Sequence, residues 1–254
     1  MNTAGNADRW LERNAAKGTP LLRLLCFPYA GGTARSFRDW ADKLGPNLEV
    51  CAVRLPGRER RLSEPALRRA DHAVDILVEV LRPYLDLPMV LFGHSMGAIL
   101  AYEVARGLLR NARVEPRGLL VSGRRAPHLP SRRRHLHDLP RDEFIAEIKA
   151  FNGTPEEVFD HRDLVDLFLP TLRRDFELAE TYTQPAGPVL SCPVIAMSGR
   201  QDADVLPEDL ADWRSVTTGP FKTMLFDGHH FYINDAQTGF LEAVRQEIAL
   251  LAPR

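Results

Sequence analysis

Lysine is almost missing from this chain of 254 residues: Lys17, Lys43, Lys149 and Lys222 are its only examples, and arginine carries the rest of the positive charge. Genome composition accounts for that bias. Neither sign is in excess, and a formal net charge of −1 argues against a nucleic-acid partner, because such proteins carry a strong basic surplus. Cysteine is scarce. Cys26, Cys51 and Cys192 are widely spaced inside apolar runs, which excludes a disulfide framework or a zinc site and predicts buried free thiols. No apolar stretch reaches membrane-spanning length, and Met1 to Asn6 lack the charged and apolar regions of a signal peptide, so a cytoplasmic monomer away from membranes is expected. Internal repeats and low-complexity linkers are absent too. What remains, 44% hydrophobic and 26% charged residues, suits one large α/β domain.

Short apolar runs alternate with helical segments. Leu21–Phe27, Leu48–Val53, Pro88–Phe92 and Arg117–Ser122 read as buried parallel strands. Between them, Ser36–Leu44 has helical spacing of Phe37, Trp40 and Leu44, and Leu67, Ala70, Val74, Leu77, Val78, Leu81 and Leu85 mark an amphipathic helix. The pattern predicts a mostly parallel sheet with helices on both faces. It breaks near Gly123 and resumes at Pro193–Met197, ending with a strand at Phe221–Phe226 and a helix lined by Phe240, Leu241, Val244, Ile248 and Leu251. The intervening stretch reads as helices. Asp142–Ile148 follows Pro140; Thr154-Pro155-Glu156-Glu157 is a capping-box pattern; Asn152-Gly153-Thr154 signals a turn; and Pro170 is expected to split Asp163–Phe168 from Thr171–Tyr182. Residues 1–123 and 188–254 are thus expected to form the core and 124–187 a helical insert, either a lid hinged near Gly123 and Pro185–Pro188 or a rigid appendage.

The most informative stretch is Gly93-His94-Ser95-Met96-Gly97, which follows the run Pro88–Phe92 and leads into Ala98–Ala105. A serine between a strand and a helix in G-x-S-x-G is held at the tip of a sharp turn, its hydroxyl exposed, and the glycines are required because backbone meets backbone there. Ser95 is the candidate nucleophile; an ordinary helix N-cap is the alternative. A serine needs a base, and the base a third group to fix its tautomer. Both should follow in the order Ser, Asp, His. Ser198-Gly199-Arg200-Gln201-Asp202-Ala203-Asp204 and Gly228-His229-His230-Phe231 each follow a strand, where ligand chemistry gathers in open α/β sheets. Asp202 is expected to orient the base, with Asp204 as the alternative, and His230 is preferred to His229. His72, His128, His135, His137 and His161 read as surface or packing residues, with nothing near His135 and His137 to complete a metal site. The backbone N–H groups of Met96 and of Ala30, in the loop Pro28-Tyr29-Ala30-Gly31-Gly32, are the expected oxyanion donors.

With these residues in view, the chain resembles the type II thioesterases that accompany polyketide synthases and nonribosomal peptide synthetases. The resemblance rests on Cys26–Gly32, Leu55-Pro56-Gly57-Arg58-Glu59, Gly93–Ala98, Arg174–Tyr182 and Gly228–Phe231. It implies an α/β-hydrolase fold with a helical lid, Ser95, Asp202 and His230 as triad, and Met96 and Ala30 as oxyanion donors. It further implies hydrolysis of acyl groups misloaded on the phosphopantetheine arm of an acyl or peptidyl carrier protein, with no metal or other cofactor. His229 departs from the family, which carries a second glycine there. A general carboxylesterase or lipase shares the same chemistry. An acyltransferase is disfavoured by Ala98, where those enzymes carry glutamate, and a non-enzymatic scaffold by the complete triad. Arg124, Arg125, Arg132, Arg133 and Arg134 suggest a docking patch for an acidic carrier, set against the solvated face that a charge run ordinarily forms.

Overall fold

The protein is described by a computed structural model covering residues 9–151, 153 and 156–253. Seven strands form one sheet: β1 (Leu11–Asn14), β2 (Leu22–Phe27), β3 (Leu48–Val53), β4 (Met89–His94), β5 (Gly118–Ser122), β6 (Val194–Gly199) and β7 (Phe221–Phe226), in the order β1-β3-β2-β4-β5-β6-β7. All neighbours pair in parallel except β1, which runs antiparallel to β3. The nearly continuous apolar runs have their cause here, since β2 to β6 are buried on both faces.

Alternate residues of each strand feed two cores. Leu25, Phe27, Cys51, Val53 and Leu91 point to one face, where α2 (Ala70–Leu81) and α3 (Met96–Ala112) pack. Leu24, Cys26, Val50, Ala52, Val90 and Phe92 point to the other, covered by α1 (Trp40–Leu44) and, at the end of the chain, Phe240–Leu251. All three cysteines are free and buried, and burial pushes the Cys51 and Cys192 thiols up to about 12.

Between β5 and β6 lie α4 (Arg141–Ala150) and α5 (Arg162–Glu180), around a third cluster of Leu136, Phe144, Ile148, Val165, Leu169 and Leu172. After β6 come α6 (Pro207–Ala211) and, closing the chain, α7 (Phe240–Leu251).

Several local expectations are corrected. The segment expected to be helical from Ser36 divides into a 3₁₀ turn at Ala34–Phe37, where the Thr33 side chain accepts from the Arg35 N–H, and the short α1. The helix expected to reach Leu85 ends at Leu81, because Pro83 supplies no N–H and the chain tightens to 3₁₀. Pro170 does not split its segment: α5 runs unbroken through it. An interior proline costs about 3 kcal/mol. Burial on both sides offsets it, with Val165, Leu169 and Leu172 in the third cluster and Leu178 and Ala179 in the main core. Thr154 and Pro155 of the capping-box pattern, and Asn152 and Thr154 of the turn signal, lie outside the described residues; Glu156–Asp160 is a 3₁₀ turn.

Candidate active site

Ser95 stands between β4 and α3 with φ 54° and ψ −115°, and its side chain makes no capping hydrogen bond. It is therefore not the ordinary N-cap. A non-glycine residue at positive φ costs on the order of 1–3 kcal/mol, and the surroundings must impose it. They do so sterically: a Cβ on Gly93 would run into the Gly97 carbonyl, and one on Gly97 into the carbonyl of Phe27. The Ser95 N–H donates to Ser122 O at 2.8 Å, fastening the turn to β5.

Asp202 and His230 meet from two loops. His230 Nδ1 lies 2.8 Å from Asp202 Oδ2, with the carboxylate almost wholly buried. The loops approach so closely that a Cβ on Gly199 would strike the carbonyls of Gly228 and His229. Burial by itself would raise the Asp202 carboxyl, but the hydrogen bond and charge of His230, the Asp204 N–H at 3.0 Å and the Ser198 hydroxyl at 3.3 Å outweigh it and hold the group below its ordinary value. The competing residues have other partners, although the Asp204 carboxylate stands within 4.8 Å of the ligand atoms of Asp202 and His230. Asp204 pairs with Arg133, and burial raises its carboxyl; His229 Nδ1 sits 3.1 Å from Gln201 O on the surface.

Tyr29 to Gly32 form the wall opposite. Asp175 on α5 accepts from the Gly31 N–H at 2.8 Å and from both Arg58 Nη atoms at 2.9 and 2.6 Å, and Arg58 Nη1 also donates to Gly32 O at 3.0 Å. This buried clamp fixes the loop that carries Ala30. Ala30, Ser95, Met96 and His230 all line one cavity of about 1110 Å³, whose far side is apolar: Ile148, Phe151, Leu167, Phe168, Leu172 and Phe176, all from the helical insert. A cavity of that size and lining suits a long apolar ligand.

Two features escaped the sequence reading. The Arg58–Asp175 clamp joins residues 117 positions apart, and no spacing rule links them. His94 is fully buried behind His230, the two rings 4.9 Å apart, and its Nδ1 meets Ser122 Oγ at 2.9 Å, which in turn meets the Tyr232 hydroxyl at 2.6 Å. Burial, with the neighbouring His230 adding to it, holds the His94 imidazole well below its ordinary value and so neutral.

The arginine run finds partners within the chain. Arg125 and Arg132 pair with Asp209, Arg133 with Asp204, Arg134 with Glu143 and Glu147, and Arg124 turns inward to Ala179 O. Most of its charge is paired within the chain, while Arg132, Arg133 and Arg134 stay about half exposed. Asp138 does stand beside His135 and His137, their ligand atoms within 4.8 Å of one another, contrary to the expectation that nothing near that pair completes a ligand set. His137 Nδ1, however, is taken by Glu180 at 2.5 Å. No helix among the described residues is long and apolar enough to cross a membrane.

Comparison with known proteins places the whole fold in a family. Residues 22–248 match the thioesterase domain family. The gramicidin S biosynthesis protein GrsT of Aneurinibacillus migulanus is 34% identical over 255 residues, covering 100% of both chains. Among solved structures, the RedJ thioesterase from the prodiginine biosynthetic pathway of Streptomyces coelicolor is 37% identical with a TM-score of 0.85, over 92% of this chain and 95% of that one. BorB, a type II thioesterase from the borrelidin biosynthetic cluster, is 34% identical with a TM-score of 0.84, over 94% of this chain and 96% of its own.

Proposed function

The chain belongs to the thioesterase family, among its type II members with the α/β-hydrolase fold, and from that premise we propose how its residues divide the hydrolysis of an acyl-carrier thioester. Ser95 is the nucleophile, His230 the base, and Asp202 the group that fixes the tautomer of His230. The N–H groups of Met96 and Ala30 receive the oxyanion. The observation that carries this reading is the buried 2.8 Å bond from His230 Nδ1 to Asp202, beside a cavity that Ser95 and His230 share. With Nδ1 donating, the other ring nitrogen is left as an acceptor for the serine proton.

Ser95 Oγ attacks the thioester carbon while His230 takes its proton. The tetrahedral oxyanion collapses, the C–S bond breaks, and the proton on His230 goes to the departing sulfur. Water repeats the sequence on the acyl-enzyme, giving the free acid and restoring Ser95. A thiol near pKa 8.5 leaves readily, so His230 matters most as base. Every role falls to the chain's own groups, and the substrate brings its own phosphopantetheine, so the reading calls for no metal or nucleotide.

The partner is an acyl or peptidyl carrier protein, the setting a cytoplasmic biosynthetic assembly line, and the task removal of misloaded acyl groups. We read 124–187 as a lid on the core formed by 1–123 and 188–254, because its helices roof the acyl cavity. An esterase would use the same triad. Mass spectrometry of a panel of acyl-loaded carrier proteins, with matching acyl-CoA and simple esters, separates the two. Carrier thioesters are expected to turn over fastest, and Ser95→Ala to abolish turnover; hydrolysis undiminished in that variant overturns the mechanism.

A further inference from the structure

His94 stands one residue before the nucleophile, fully buried, and its ring meets the other two parts of the site. Tyr29, the neighbour of Ala30, packs edge-on with 5.7 Å between ring centroids. The loop of the base supplies His230 at 4.9 Å, Phe231 at 5.8 Å and Tyr232 at 6.2 Å. Gly123 leaves the room for both histidines: a Cβ there would come 2.5 Å from His94 Cε1 and 3.3 Å from His230 Cε1.

One polar bond orients the His94 ring. Nδ1 meets Ser122 Oγ at 2.9 Å, and among the described residues Nε2 has no hydrogen-bond partner. Leaving a buried polar atom unpaired costs about 1–3 kcal/mol, so a side chain that served packing alone would be better apolar. Ser122 is tied twice more: its Oγ lies 2.6 Å from the Tyr232 hydroxyl, and its carbonyl accepts from the Ser95 N–H at 2.8 Å. This buried residue of β5 therefore holds the nucleophile's turn by its backbone. By its side chain it holds both the ring behind His230 and the turn on which His230 stands. Burial keeps the His94 ring neutral, so no second charge opposes the imidazolium formed when His230 takes the Ser95 proton.

We propose that His94 is a positioning residue of the catalytic base, keeping the His230 ring within reach of Ser95 through its anchorage to Ser122 and Tyr232. This rests on the thioesterase reading above and adds a side chain on which the triad depends.

The test sets two replacements of similar size against each other. His94→Asn puts an amide where Nδ1 stood and keeps a bond to Ser122, while His94→Leu fills the space without one. On one acyl-pantetheine thioester, below both unfolding transitions, His94→Leu is expected to lower kcat by about 10²-fold with KM little changed, the order that a 1 Å misplacement costs. His94→Asn should stay about tenfold above it. The rate at which a fluorophosphonate labels Ser95 should follow kcat, because that reaction needs the base but no acyl group. Tyr232→Phe removes one oxygen and keeps the ring, and should lower both rates in the same direction; it decides the matter should His94→Leu fail to fold. An unchanged kcat in His94→Leu or in Tyr232→Phe overturns the proposal, as do equal losses in the Asn and Leu variants or a loss confined to KM. If wild-type Ser95 takes up no label and thioesters turn over undiminished in Ser95→Ala, the reading of the triad itself has failed, and the proposal falls with it.

Discussion

Asp202 Oδ2 receives His230 Nδ1 at 2.8 Å, while Oδ1 of the same carboxylate receives the Asp204 N–H at 3.0 Å. In the proposed mechanism one acid of the pair thus orients the base, and the other contributes its backbone to hold that acid in place.

Asp202→Asn should therefore lower kcat by about 10³- to 10⁴-fold, because the amide favours the wrong imidazole tautomer. Asp204→Asn should cost far less, since its side chain bonds Arg133 and not the His230 ring, and its backbone N–H to Asp202 is kept. Steady-state kinetics on one acyl-pantetheine thioester compare the two, and equal losses would reverse the assignment.

The Arg58–Asp175 clamp makes a stability prediction. Asp175→Ala leaves a buried guanidinium unpaired and the Gly31 N–H without its acceptor. Breaking such a pair costs about 3–5 kcal/mol. At roughly 2–4 °C per kcal/mol for a chain of this size, Tm should fall by roughly 6–20 °C in thermal unfolding. A shift under about 2 °C would mean that the pair is not a support.

Glu177 on α5 is held at about 2, chiefly by the hydrogen bond from Arg68, against partial burial and with help from Arg174. Its folded value lies below the unfolded one, near 4.3, so its contribution is complete above that pH and disappears as pH falls toward about 2. The Tm gap between wild type and Glu177→Gln should be small, widest near neutrality, and closed in strong acid. A gap that widens on acidification contradicts the sign.

Gly97→Ala tests the elbow. The added methyl would collide with backbone, the Phe27 carbonyl, so no side-chain rotation relieves it. Soluble yield and thermal unfolding should both collapse, and a variant with wild-type Tm would show that β2 can retreat.

The elbow was legible in the sequence because its requirement is local: two glycines flank a serine between a strand run and a helix run. Asp202 and His230 were legible because chain order and strand ends select them, although only the fold separated them from Asp204 and His229. β1 was not legible. Leu11-Glu12-Arg13-Asn14 is short and polar, and becomes a strand only by pairing along β3 from Val53 to Val50. Pro170 misled for a similar reason, since local propensity ends a helix there while tertiary burial continues it. The Arg58–Asp175 clamp and the placement of His94 behind His230 depend on contacts between distant segments, which periodicity does not encode.

Because α5 passes through Pro170 without a break, its 19 residues form a lever about 28 Å long. Leu178 and Ala179 seat one end in the main core, and Thr171, midway, donates to Gly57 O at 2.8 Å. A tilt of about 10° at that end would sweep Arg162 through about 4 Å, by the 1.5 Å rise per residue. Such a tilt of the roof over the cavity would turn a slight shift at its root into a displacement at its tip as wide as a methylene chain.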